Sequence, residues 1–156
     1  MMSFQHMLSA GSKKISKFSS SLEETAEIGR SIAKDLAPGA IVAFFGDLGA
    51  GKTTLIKSLA AELTGIDPHE VSSPTFTYLH IYKGTGLVYH FDLYRLENAT
   101  DFLERGFDEF FDAGGICLIE WAERIDPILP EHAHRIEIKH QDENNRIFTF
   151  YEKNHV

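Results

Sequence analysis

Hydrophobic positions change period several times along the chain, and each change marks an element. Leu22, Ala26, Gly29, Ile32, Ala33 and Leu36 recur at three- and four-residue spacing, which is one face of a helix. Ser21-Leu22-Glu23-Glu24 has the form of a capping box ahead of it, and Pro38-Gly39 stops it. Ile41 to Phe45 is then a solid apolar run, the pattern of a strand buried on both faces. A second helical face follows from Thr54 to Leu63, carried by Leu55, Ile56, Leu59, Ala60 and Leu63, with Gly65 as its C-terminal cap. Phe76 to Tyr82 and Leu87 to Phe91 read as two strands joined by the turn Lys83-Gly84-Thr85-Gly86. Asn98 to Arg105 is a short helix ended by Gly106, and Ile116 to Ile119 is a continuous apolar strand. Arg135 to Lys139 and Arg146 to Tyr151 form a late hairpin around Gln141 to Asn145. Residues 1–17 read as a flexible polar lead-in, and residues 18–156 as one domain. The expected fold is α/β: a three-layer sandwich with a mixed, mainly parallel central sheet, antiparallel additions and flanking helices.

Composition narrows the setting. A length of 156 residues fits one domain with a core of its own. Cys117 is the only cysteine, so no intramolecular disulfide can form and a cytoplasmic location is expected. No apolar run approaches a membrane span, and no stretch resembles a signal peptide. The formal net charge of −8 disfavours direct long-range attraction to a nucleic-acid backbone. Any RNA is expected to be held by a partner.

The chemistry concentrates in Gly46-Asp47-Leu48-Gly49-Ala50-Gly51-Lys52-Thr53-Thr54, which fits the P-loop pattern. Backbone N–H groups of such a loop curl around a β-phosphate, and glycines supply the torsions this requires. The following helix points its positive end at the anion. Lys52 is expected to reach the β- and γ-phosphates, and the Thr53 hydroxyl to ligate Mg²⁺. A glycine turn with no ligand is the plain alternative, but the strand before and the helix after are the context the motif needs. No Asn-Lys-x-Asp pattern for guanine is present, so the expected nucleotide is ATP and the fold is P-loop NTPase-like.

Two strands end in acids, at Asp92 and Glu120. Ile116 to Ile119 is unbroken, whereas Val88 to Phe91 carries His90. Central parallel strands read as unbroken runs, which puts Glu120 beside the P-loop strand as the metal-side acid. Asp92 is then available to orient or deprotonate a water; a strand-end cap or a salt bridge to Arg95 is its plain alternative. Ser73 and Thr75, in Ser73-Pro74-Thr75-Phe76-Thr77, could sense a γ-phosphate, but on pattern alone a turn into a strand is the better reading. Trp121 lines either a pocket or the core. His132 and His134 read as a solvent-facing pair rather than metal ligands, and Cys117 as a small buried apolar residue.

Taken in order and spacing, "GDLGAGKTT", "SPTFT", "HFDLYRL" and "IEWAER" resemble the bacterial TsaE (YjeE) family of ATPases, from about Ser20 to the final hairpin. The resemblance implies an Mg²⁺-dependent ATPase, weak alone, that works with TsaD and TsaB. In that pathway TsaD transfers threonylcarbamoyl to adenosine 37 of tRNAs reading ANN codons, and the ATPase resets the machinery without performing the transfer. It further implies Thr53 and Glu120 as Mg²⁺ ligands and Asp92 as the acid near the γ-phosphate. Ser73 and Thr75 become switch-like hydroxyls, against the plain turn, and Trp121 the tryptophan beside the metal acid. The adenine is expected near Ser21 to Thr25, and Arg146 matches a basic residue of the family's last hairpin. After Trp121 the chain reads Ala122-Glu123-Arg124, where many relatives carry a proline. The alternative is a small-molecule P-loop kinase. It needs a lid with arginines, and arginine is sparse here with no long lid insertion.

Overall fold

A single seven-stranded sheet organises the computed structural model, which describes residues 14–46, 50–72, 74 and 76–151. The strands are β1 (Lys14–Ser19), β2 (Ile41–Gly46), β3 (Leu79–Lys83), β4 (Leu87–Asp92), β5 (Ile116–Glu120), β6 (His134–His140) and β7 (Arg146–Tyr151). Their order across the sheet is β1-β7-β6-β2-β5-β4-β3. The centre, β6-β2-β5-β4, is parallel. β3 adds antiparallel to β4 at one edge, and β7 and β1 add antiparallel beyond β6 at the other. The mixed sheet with a parallel core is therefore as the hydrophobic pattern predicts.

Helices α1 (Leu22–Lys34) and α2 (Ala50–Thr64) cover one face. Val42 and Phe44 of β2, Ile136 and Ile138 of β6 and Phe148 and Phe150 of β7 pack there against Leu55, Ile56 and Leu59 of α2. Side chains alternate across a strand, so Ile41 and Ala43 belong to the opposite core with Cys117 and Ile119. That second core is closed by α3 (Ala99–Glu104) and by 3₁₀ turns at Phe107–Asp112 and Ala122–Ile128. Phe91 meets Phe102, Phe107 and Phe110 there at ring separations of 5.7, 5.5 and 5.9 Å. Phe91 and Phe102 are fully buried, which is worth about 1.5–3 kcal/mol for each ring, and Phe107 and Phe110 are half-buried.

α1 begins as its capping box requires: the Glu24 N–H donates to Ser21 Oγ at 3.1 Å. The Glu24 carboxylate answers by accepting the Ser20 N–H at 2.8 Å, one residue before the cap. That exposed carboxyl lies below its ordinary value because the Ser20 side chain and backbone both donate to it. α2 ends at Gly65, whose φ of +78° and N–H to Ala61 O at 2.8 Å make the expected cap.

Four readings of the sequence are corrected. The lead-in expected over 1–17 does not include Lys14–Lys17, which pair with β7 as part of β1; residues 1–13 lie outside the described residues. Leu22 is 50% exposed, and Thr25 takes its place in the helix–sheet contact with its hydroxyl on Ser19 Oγ at 2.7 Å. Phe76–Tyr78 forms a turn, with the Tyr78 N–H on Pro74 O and Tyr78 at φ +66°, and the strand begins at Leu79. The late hairpin is present as expected, and its first strand joins the parallel centre beside β2. Of the histidine pair, His132 is exposed while His134 is half-buried, and burial first and His132 second hold His134 below the ordinary histidine range. Among the described residues, no helix is long and apolar enough to cross a membrane.

Candidate functional site

Parallel strands of one sheet deliver their carboxyl ends to one edge, and the candidate site is built there. Across that edge Phe44 of β2 pairs with Glu120 of β5, and Glu120 pairs with Asp92 of β4. The two acids thus sit directly opposite each other, Glu120 one strand and Asp92 two strands away from β2, which ends at Gly46. Asp92 and Glu120 are each 4% exposed. The alternation of the strands puts both on the face covered by α2, with Val88 and Leu118.

Gly46 closes β2 with φ +103°, and a Cβ there would lie 2.4 Å from Ile138 O. Only glycine fits that close approach to β6. Its N–H donates to Glu123 Oε2 at 3.2 Å, so the Ala-Glu-Arg segment after Trp121 ties down the start of the loop. Asp47, Leu48 and Gly49 lie outside the described residues. The chain re-enters description at Ala50, already helical, followed by Gly51, Lys52, Thr53 and Thr54 in the first turns of α2. The first N–H groups of an α-helix have no partner within the helix, and a helix start is in general a place where anions bind. Lys52 is 1% exposed, and its Nζ stands 5.1 Å from the centroid of the Trp121 ring. Thr53 is exposed beside it.

Trp121 follows Glu120 in a left-handed conformation, φ +59°, which is uncommon for a bulky residue and clusters at functional sites. The turn lays its half-buried ring against Tyr94, 5.0 Å between centroids, with Arg124 5.6 Å away on the ring. Trp121 thus packs against the second core while its ring stands near Lys52 Nζ. Asp92 Oδ1 accepts the Tyr94 N–H at 3.0 Å, so its carboxylate serves as a strand-end cap as well as facing the site. Arg95 stacks over Phe76 at 4.4 Å. Ser73 and Thr75 lie outside the described residues. Arg146 is buried at the start of β7, opposite Ser19 and His140, with Nη1 donating to Asn144 O at 3.4 Å.

His90 is the polar residue that set β4 apart from β5 in the sequence pattern, and the order β2-β5-β4 bears out the placement of Glu120 beside β2. β4 is parallel to β5 on its far side from β2, and Val88 to Asp92 is buried throughout. The imidazole is accommodated because Nε2 lies 2.6 Å from Glu120 Oε2. The available signal was its period-two spacing from Asp92, which places both on one face. Glu123 carried no signal, because its contact with Gly46 spans 77 positions of sequence. A groove of about 580 Å³ between α1 and α2, bordered by Arg30, Lys57 and His69, reaches the site at Thr54. A second hollow of about 480 Å³ lies behind Gly46, against Glu123, Arg135 and Tyr151. Neither of these two hollows is lined by Asp92 or Glu120.

A strand, a glycine turn, a buried lysine at a helix start and two acids on neighbouring strands define a P-loop-type α/β protein. Residues 19–148 match the family described as "Threonylcarbamoyl adenosine biosynthesis protein TsaE". The chain belongs to the TsaE family. A relative from Treponema pallidum named "tRNA threonylcarbamoyladenosine biosynthesis protein TsaE" is 40% identical over 131 residues, covering 84% of this chain and 96% of its own. The protein of the same name from Bacillus subtilis is 43% identical over 129 residues, covering 82% and 79%. The crystal structure of Bacillus subtilis YdiB superposes with a TM-score of 0.74 at 35% identity, over 91% of this chain and 87% of that one.

Proposed function

We propose that the protein is an Mg²⁺-dependent ATPase serving the biosynthesis of threonylcarbamoyladenosine in tRNA. The observation that carries this is the row Phe44–Glu120–Asp92 across adjacent parallel strands, ending where β2 turns into the loop and Lys52. In this reading residues 46–54 cradle the phosphates of ATP, and Lys52 leaves the Trp121 ring for the β- and γ-phosphates. Thr53 and Glu120 would hold Mg²⁺. The donors fit: a hydroxyl and a carboxylate are hard oxygens, and Mg²⁺ takes one or two carboxylates plus phosphates and waters. It does not need an all-protein cage, and among the described residues no cluster of three His, Cys, Asp or Glu could form one. When bound, the ion supplies neutralisation of charge on the transferring phosphoryl group. Asp92 orients the attacking water and accepts its proton, and the Thr75 and Ser73 hydroxyls sense the γ-phosphate.

The biological role rests on the family and on its relatives' names. Residues 18–156 act as one ATPase domain, extended by Lys14–Lys17 through β1. The partners are TsaD and TsaB, which carry out the transfer and hold the tRNA, as the net charge of −8 favours. The setting is the cytoplasm. The test is ATP hydrolysis with and without Mg²⁺, by this chain alone and with TsaD and TsaB from the same organism. A rise with the pair, abolished in Lys52→Ala, supports the proposal. No rise with an assembled pair overturns the partnership. A phosphorylated small-molecule acceptor in place of free phosphate identifies a kinase instead.

A further inference from the structure

We propose that His90 is a positioning residue: its ring holds the Glu120 carboxylate in the one rotation that meets the metal of a bound nucleotide. This rests on the preceding assignment of Glu120. A carboxylate only accepts, so the His90 Nε2–H donates to Oε2, at 2.6 Å. Both side chains are out of water, at 3% and 5% exposure. His90 lies one side-chain step behind Asp92 on β4, and Asp92 faces Glu120 in register, so the bond runs diagonally between strands on the α2 face. Nδ1 is buried and has no partner among the described residues. The ring's single described hydrogen bond is therefore spent on the acid.

An imidazole at this place is a poor packing choice. The neighbouring inward positions are Val88 and Leu118, and a buried polar ring with one bond is less favourable than an aliphatic side chain of similar size. The exception has a use: a carboxylate that ligates a metal is held by an outer hydrogen bond, and losing such a bond costs about 10- to 100-fold in metal affinity. A bond at Oε2 restricts how the Glu120 carboxylate can turn.

The test uses Mn²⁺ as the metal probe, read by electron paramagnetic resonance with the full chain and a non-hydrolysable ATP analogue. His90→Leu removes the donor. His90→Gln keeps a donor at the position of Nε2, and His90→Asn, one methylene shorter, does not reach. We expect Mn²⁺ affinity to fall about 10- to 100-fold in the Leu and Asn variants and to stay within a few-fold in the Gln variant. Analogue binding in EDTA should be close to wild type in all three. Should His90→Leu fail to fold, the Gln and Asn pair decides. Wild-type Mn²⁺ affinity in the Asn variant, or equal losses in Gln and Asn, overturns the role of His90. Absence of Mn²⁺ uptake by the wild-type complex overturns the metal assignment itself.

Discussion

Lys52 in the first turn of α2, and Asp92 and Glu120 at the ends of β4 and β5, are buried, and the proposed function gives each a separable task. Asp92→Ala should lower turnover by about 10²–10⁴-fold, the range for a lost general base, with ATP affinity nearly kept. Glu120→Ala should instead raise the Mg²⁺ concentration needed for half-maximal turnover, by at least the roughly 10- to 100-fold that an outer-shell loss costs. Steady-state phosphate release across an Mg²⁺ series separates the two; identical profiles would show that the acids do not divide the work. Trp121 is the sole tryptophan and stands against Lys52 Nζ. Adding ATP should therefore alter its fluorescence in the wild type and not in Lys52→Ala. A flat wild-type titration would mean that the amine does not leave the ring.

Between elements, the closest fit is α1 against α2. A Cβ at Gly29 would fall 1.8 Å from Ser58 Oγ and 2.9 Å from the Leu55 carbonyl oxygen. The hydroxyl can rotate away, but the backbone oxygen cannot. Gly29→Ala gains about 1 kcal/mol of helix propensity and meets an overpacking cost of about 1–3 kcal/mol. The net should be a lower urea midpoint, and adding Ser58→Ala should recover only part of it. A raised midpoint in the single variant would show that α1 shifts freely over α2. Element existence was legible wherever the period was sustained, as in α1, β2 and β5. It failed at Phe76–Tyr78, where an apolar–polar alternation forms a turn because Tyr78 takes a left-handed conformation and binds back to Pro74. Alternation records which side chains face a core; it does not record whether the backbone has a ladder partner.

Over the whole molecule, both cores share one sheet, and Cys117 lies at its centre, fully buried. Burial, with a smaller contribution from Asp112, pushes its thiol from 9.0 up to about 12. The folded state holds that proton more tightly than the unfolded chain does. Its contribution to stability is thus full below about pH 9 and is lost as pH rises towards 12. Cys117→Ala should flatten the alkaline fall in melting temperature relative to wild type over that window, whatever its effect at pH 7. Parallel curves would show that the thiol titrates alike in both states. The thiol is inert for the same reason that it was readable as core: an unbroken apolar run leaves it no water.

What the sequence determined by itself is local or nearly so: the helix from Ala50, the cap at Ser21, the apolar strands, and Glu120 at the end of an unbroken one beside β2. These follow from spacing, because helix capping, helix periodicity and double-sided burial each constrain neighbouring residues. The tertiary structure decided what depends on strand order. It set β6 parallel beside β2, so that Gly46 must be glycine. It brought Glu123 to the Gly46 N–H and made Lys14–Lys17 an edge strand. It turned His90 from a blemish in an apolar strand into the partner of Glu120. Hydrogen bonds between strands join residues remote in sequence, and a pattern read along one chain holds no record of which strands lie side by side.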